Sequence, residues 1–392
     1  MRLPRRQENH LTRKQVGTVL RIAVSVALLA LLFRNVGVAD VFDVLRKANP
    51  WYVLGAVLLY VVAGTFVRGN RWRALIVSLG QAISILRAME LFLVGTFFNQ
   101  LLPTGIGGDV VRALVLARDG LGRARAFSSV LVDRALGILP LLAVGLVALM
   151  IAPGRAPAMV SGILLVVGLA GVAGIIVLFQ AHRLRGRVSS LPAIGWLLAR
   201  PGVARFIDSF ADYSRHALVV STTWAFAFTL LLIGANVLLG RAVGITQASI
   251  LDWAILVPLA ALSTLLPSVG GWGVREWTYV GLLATLDPPV SAHTATAVSL
   301  LFGGMNLLLA ATGAVLTAAS STVGLPSIGR LRREAEPESD SEREPAAEQQ
   351  SDWDDQPGPQ AVPTPVPQAH SDPKSNPDPE REDLPGAEPE GR

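Results

Sequence analysis

The chain has 392 residues, of which 51% are hydrophobic and only 16% charged, and its mean hydropathy is +0.48. This balance excludes an ordinary soluble domain and puts the membrane class first, while the absence of cysteine excludes a disulfide framework or a thiolate metal site. The net charge of +5 divides into an acidic end, with 17 acidic and 4 basic residues from Glu334 onward, and a basic body, with 30 basic and 12 acidic residues in 1–333. Most of the basic excess follows the positive-inside rule, and a smaller share is available to anionic headgroups.

Residues 1–16 form a basic head (Arg2, Arg5, Arg6, Arg13, Lys14). The apolar run 17–33 that follows has no convincing small-x-small cleavage site, so it reads as a retained first helix, not a signal peptide. Runs with almost no charge cover 17–33, 51–67, 126–151, 158–180, 218–239 and 294–318. Crossing about 30 Å of hydrocarbon takes about 20 such residues, so six full spans are expected. Arg21 inside the first run reads as a side chain snorkelling to the nearby interface. The 68–87 segment holds Arg68, Arg71, Arg73 and Arg87 with no acid, and reads as a cytoplasmic loop on the same side as the N-terminus.

Residues 88–102 and 110–117 are each too short to span, and PTGIGGD separates them. They are expected to form a re-entrant hairpin that enters and leaves from the cytoplasmic side. Helix 126–151 then runs outward, and 158–180 returns to a basic loop over 182–217. After 218–239, residues 252–266 and 273–286 make a second broken pair around LLPSVGGWGVRE. With 294–318 returning inward, Arg330, Arg332 and Arg333 reach the cytoplasm only if this second pair opens to the outside. The fold class is thus an all-α polytopic membrane protein with about six spans and two Gly/Pro-broken re-entrant hairpins; eight full spans is the alternative. Three regions follow: the head at 1–16, a membrane domain at 17–320, and an acidic, Pro-rich tail at 321–392 with too little apolar content to fold.

The two broken regions match. LLPTGIGGDVVR (101–112) and LLPSVGGWGVR (265–275) share Leu-Leu-Pro, a hydroxyl residue, Gly-Gly, and an arginine four residues after the second glycine. Matched motifs with opposite entry sides point to an inverted repeat, in which transporter sites lie where discontinuous helices meet near the midplane. A competing structural reading is that Gly and Pro are common in membrane helices anyway.

Broken backbone in hydrocarbon is tolerated only where protein or water satisfies its amides, so these breaks line a cavity or are packed in protein. Pro103 and Pro267 interrupt the helices, and Gly105, Gly107, Gly108, Gly270, Gly271 and Gly273 allow close backbone approach. The following half-helices begin with free amides suited to an anion. Arg112 and Arg275, one turn in, are the candidates to bind a lipid phosphate through two oxygens at once, with Arg134 a third; snorkelling or a local carbonyl contact is the structural alternative. Asn99, Asp109, Asp133 and Glu276 are the polar and charged groups of the expected cavity. Asp133 with Arg112, or Arg134 with Asp109, are pairings the spacing allows, and a purely structural pair fits as well. Asp252 stands at the mouth of the second pair and Glu90 near a hairpin end. His10, His182, His216, His293 and His370 are dispersed without ligand spacing, so neither a metal nor another cofactor is expected. Arg-rich loops between membrane helices are explained by topology and call for no nucleic acid.

The stretches FFNQLLPTGIGGDVVRALVLARDGLGRARAFSSVLVDRALG (97–137), LLPSVGGWGVREWTYVGLL (265–283) and VSLLFGGMNLLLAATGAVL (298–316) resemble the transmembrane, flippase-like domain of lysylphosphatidylglycerol synthase-type proteins. The resemblance covers about residues 17–320 and implies a bacterial inner-membrane protein that moves a phospholipid, an aminoacylated lipid or a polyprenyl-linked headgroup between leaflets; the arginine distribution places both termini on the cytoplasmic side. The full-length synthase carries a soluble aminoacyl-transfer domain after its membrane region, where this sequence has the acidic tail. Lysyl-lipid synthesis is therefore not carried over. Two other classes remain open: a membrane enzyme transferring a group to a lipid headgroup, which needs a base among the acids named above, and a scaffold whose acidic tail recruits a basic protein. Oligomeric state is not legible.

Overall fold

In a computed structural model of the chain, the described residues are 13–102, 107–188, 201–263 and 271–319. They contain helices and connections with no strand. Helix α1 (Arg13–Val36) turns at Gly37, whose φ of 77° lies in the left-handed region, into α2 (Val38–Lys47). The bend is 80°. Helix α3 (Pro50–Ser78) opens with Asn49 accepting from the Trp51 amide at 3.0 Å and Pro50 in the first turn, where its missing N–H costs nothing. Helices α4 (Ile85–Leu101), α5 (Gly107–Leu116), α6 (Arg123–Ile151), α7 (Ala158–Val188) and α8 (Pro201–Asp208) follow. The series closes with α9 (Arg215–Ala242), α10 (Ile250–Ser263), α11 (Val274–Leu283) and α12 (Ala292–Ala319).

Every expected span is helical. Among the described residues α3, α6, α9 and α12 are each long and apolar enough to cross a membrane, and the bent α1–α2 pair is a fifth candidate. The apolar stretch described in α7, Ala158–Gly174, is shorter. The chain is a polytopic all-α membrane protein.

One expectation is corrected. In place of a basic loop at 68–87, the second span continues as helix to Ser78 through a π-helical turn at Ala63–Val67. This puts Tyr60, Arg68 and Arg71 on walls of one internal cavity. Charge within the helix is tolerated because it meets partners across the fold: Arg71 donates to Asp133, and the Trp72 indole donates to Ser129 Oγ at 3.2 Å. The connection at 34–50 and the basic segment at 182–217 likewise contain helix, namely α2, the end of α7, and α8.

Helices α4 and α5 fold back on each other as a hairpin. Gly95 faces Gly108 and Arg112, and Asn99 Oδ1 accepts from the Gly108 amide at 2.9 Å. Gly108 sits at a backbone contact no side chain fits, since a Cβ there would lie 1.7 Å from the Gly95 carbonyl oxygen. The second broken pair, α10 and α11, also packs together. The packing is interchanged between the two repeats. Helix α5 lies on α6 and α11 on α12, each following its own chain, whereas α4 lies along α12 and α10 along α6. Each broken pair is thereby wedged between the long helix of its own repeat and that of the other. Gly313 marks the α4–α12 crossing, with a Cβ there falling 2.1 Å from the Leu93 carbonyl oxygen.

Candidate functional site

Where the two broken pairs meet, a cavity of about 270 Å³ is walled by α3, α4, α5, α6, α9, α10, α11 and α12. Arg112 from the first motif and Arg275 from the second both line it. The two copies, 163 positions apart at their arginines, therefore meet in one space.

Arg112 is only 2% exposed. Its Nη2 donates to Asp133 Oδ2 at 3.1 Å, and its Nε stands 3.1 Å from Asp109 Oδ1 without the alignment of a hydrogen bond. Asp133, reaching in from α6, also accepts from Arg71 Nε at 2.7 Å. Asp109 takes Arg134 as a second partner. Both pairings the spacing allowed, Arg112 with Asp133 and Arg134 with Asp109, are thus present together. Arg275 is held by Glu276, whose Oε1 is 3.0 Å from Nε and 2.5 Å from Nη2, and Ser299 on α12 donates to the same oxygen at 3.2 Å. The other Glu276 oxygen accepts from the Gly273 amide at 2.6 Å, capping α11. Buried carboxylates in such contacts offset the cost of holding guanidinium in a low-dielectric interior.

Aromatic faces complete the setting. The Arg112 guanidinium lies over Trp72 and Phe92 at 4.8 and 4.7 Å, and that of Arg275 over Trp272 at 4.6 Å. Two amide–phenol pairs face the same space: Tyr60 donates to Asn306 Oδ1 at 2.6 Å, and Tyr279 donates to Asn236 Oδ1. Asn99 lines the cavity while capping α5, and Gly107 opens that helix. Gly271 and Gly273 take φ of 82° and 88° at the entry to α11. Pro103, Gly105, Pro267 and Gly270 lie outside the described residues, as does the Arg21 side chain. Asp252 and Glu90 stand apart from the cavity: Asp252 pairs with Arg155 at 2.8 Å, and Glu90 with Arg87 at 2.9 Å.

Beside the cavity runs a groove of about 730 Å³ between α5, α6 and α8. Arg123, Arg134 and Arg205 line it with Phe127 and Phe206. Asp109 and Arg134 line both spaces, so their ion pair stands between groove and cavity.

The extent of likeness to known proteins coincides with this architecture. Residues 18–313 match the family described as the lysylphosphatidylglycerol synthase TM region. The chain belongs to that family. Its matched region starts in α1 and ends in α12, and it contains both broken pairs of this lysylphosphatidylglycerol synthase TM region and every cavity residue. Similar curated proteins include a UPF0104 membrane protein of Methanothermobacter thermautotrophicus, 34% identical over 134 residues, covering 32% of this chain and 38% of that protein. A UPF0104 membrane protein of Methanocaldococcus jannaschii is 31% identical over 122 residues, or 31% of this chain and 36% of that one. A third, from Pyrococcus horikoshii, is 24% identical over 124 residues, or 31% and 37% of the two chains. The aligned stretch thus spans less than two fifths of these relatives. No solved structure matches.

Arg68 and Arg71 line the cavity, although a charge-based reading of the sequence assigns them to a loop. A signal for them exists: Tyr60, Gly64, Arg68 and Arg71 fall at steps of four, four and three, one face of a helix continuing from the apolar run.

Proposed function

We propose that this chain is a translocator of an anionic or phosphate-bearing lipid, and that the headgroup crosses through the cavity between the broken pairs while the acyl chains stay in hydrocarbon. The observation that carries this reading is the convergence of Arg112 and Arg275 on one buried, arginine-rich space. A repeat whose two copies face a common cavity suits alternating exposure to the two leaflets, with each broken pair rocking against the long helices. Asp109, Asp133 and Glu276 neutralise the arginines between cycles, and the basic groove along α5, α6 and α8 offers a lateral approach. The family description, a region of a lipid-modifying protein, supports a lipid as cargo. The setting we infer is a bacterial cytoplasmic membrane with both termini inside.

The test is exchange of fluorescent phosphatidylglycerol between leaflets of proteoliposomes, read by quenching of the outer leaflet. The wild type should accelerate exchange, and Arg112→Ala and Arg275→Ala should each slow it by about tenfold or more, the loss of about 1.4 kcal/mol of headgroup interaction. Variants that fold and move lipid as fast as the wild type would remove both arginines from the mechanism.

A further inference from the structure

The motif arginines are already occupied by protein carboxylates. Arg275 is held by Glu276, Arg71 and Arg112 share Asp133, and Arg134 takes Asp109. Five arginines line the cavity, Arg68, Arg71, Arg112, Arg134 and Arg275, and three carboxylates answer them, which leaves an excess of two positive charges among the described residues.

That excess is localised. Arg68 has no carboxylate partner among the described residues, and its buried Nε makes no hydrogen bond. Its guanidinium is stacked instead over Phe92 at 4.2 Å and Phe228 at 5.2 Å. Arg112 shares the Phe92 ring and, although 2% exposed, leaves both Nε and Nη1 without a hydrogen bond. Buried guanidinium N–H groups left unmet are costly, and an aromatic face satisfies the charge without satisfying the donors. Carboxylate oxygens are the acceptors such donors ordinarily find, and phosphate oxygens fit the same fork.

We infer that Arg68 and Arg112, about Phe92, form the anion subsite of the cavity, and that it selects a headgroup carrying two negative charges, a phosphomonoester or diphosphate, over a phosphodiester carrying one. A singly charged diester would leave one guanidinium uncompensated. This rests on the translocator reading for its lipid, not for its charge preference.

The experiment measures binding of dioleoyl phosphatidic acid, dioleoyl phosphatidylglycerol and inorganic phosphate to the full chain in detergent micelles at pH 8. There the phosphomonoester, with a second pKa of about 6, is doubly charged. The wild type should bind phosphatidic acid about tenfold more tightly than phosphatidylglycerol, one guanidinium's worth of contact. Arg68→Gln should abolish that preference, Arg68→Lys should retain most of it, and Phe66→Leu, which removes an aromatic ring on the same helix outside the cavity and no charge, should leave it in place. A wild type without the preference, or an Arg68→Gln protein that keeps it, overturns the subsite. Loss of the preference in Phe66→Leu to the same extent as in Arg68→Gln also overturns it, because a general packing defect would then explain both. Inorganic phosphate bound as tightly as phosphatidic acid overturns a lipid ligand. A wild type that selects phosphatidic acid but moves no lipid in proteoliposomes removes the translocator reading and leaves the subsite standing.

Discussion

Replacing Asp133 with Asn isolates the charge that holds the first repeat together. Asp133 is 1% exposed and accepts from Arg71 on α3 and Arg112 on α5 at 2.7 and 3.1 Å, so one carboxylate from α6 neutralises two guanidiniums on different helices. Asn keeps the shape and can still accept from one arginine, but it raises the excess charge of the cavity by one. Removing one member of a buried ion pair costs about 3–5 kcal/mol. The amide retains part of the hydrogen bonding, so we expect about 3 kcal/mol of destabilisation. Equilibrium unfolding in mixed micelles, followed by tryptophan fluorescence, reads the change, since Trp72 is fully buried beside this cluster. Adding Arg71→Gln to Asp133→Asn restores the charge count and should recover at least about 1 kcal/mol, a coupling outside the range of independent sites. An Asp133→Asn protein within about 0.5 kcal/mol of the wild type would refute the reasoning, as would strict additivity in the double variant.

Asn99→Ala removes the acceptor for the Gly108 amide and should cost about 1 kcal/mol, a fall of about 1–2 °C in melting temperature for a membrane domain of about 300 residues. Gly313→Ala must push α4 and α12 apart, because its methyl would meet the Leu93 carbonyl oxygen at 2.1 Å; a cost of about 1–3 kcal/mol and slower lipid exchange are expected. Gly281→Ala on α11, where an added methyl meets nothing within 4 Å, is the control and should leave the melting temperature equal or higher.

Much of the framework is legible along the chain because lipid imposes a local rule. A helix that crosses hydrocarbon satisfies its own backbone and presents apolar side chains, so each expected run can be found without knowledge of its neighbours. The interruptions between α4 and α5 and between α10 and α11 are also local, since each is marked by a cluster of Pro and Gly, whereas the single Pro140 in α6 and Pro258 in α10 stay within helix. Repetition of Gly-Gly followed by arginine at the same interval marks Arg112 and Arg275 before any packing is known. Arg68 and Arg71 are different. In a window of sequence they look like loop charges, and only the presence of Asp133, Phe92 and Phe228 across the fold makes their burial affordable.

By itself, then, the sequence determined the membrane class, the positions of the long helices and the two matched interruptions, all of which depend on composition and spacing within some 20 residues. The tertiary structure alone decided that α4 packs on α12 and α10 on α6, that the second span runs on to Ser78, and that Arg68 stands in the cavity with no carboxylate partner among the described residues. These are long-range outcomes. A buried charge is stable or not according to what faces it, and residues separated by a hundred positions or more come to face each other only when the helices pack.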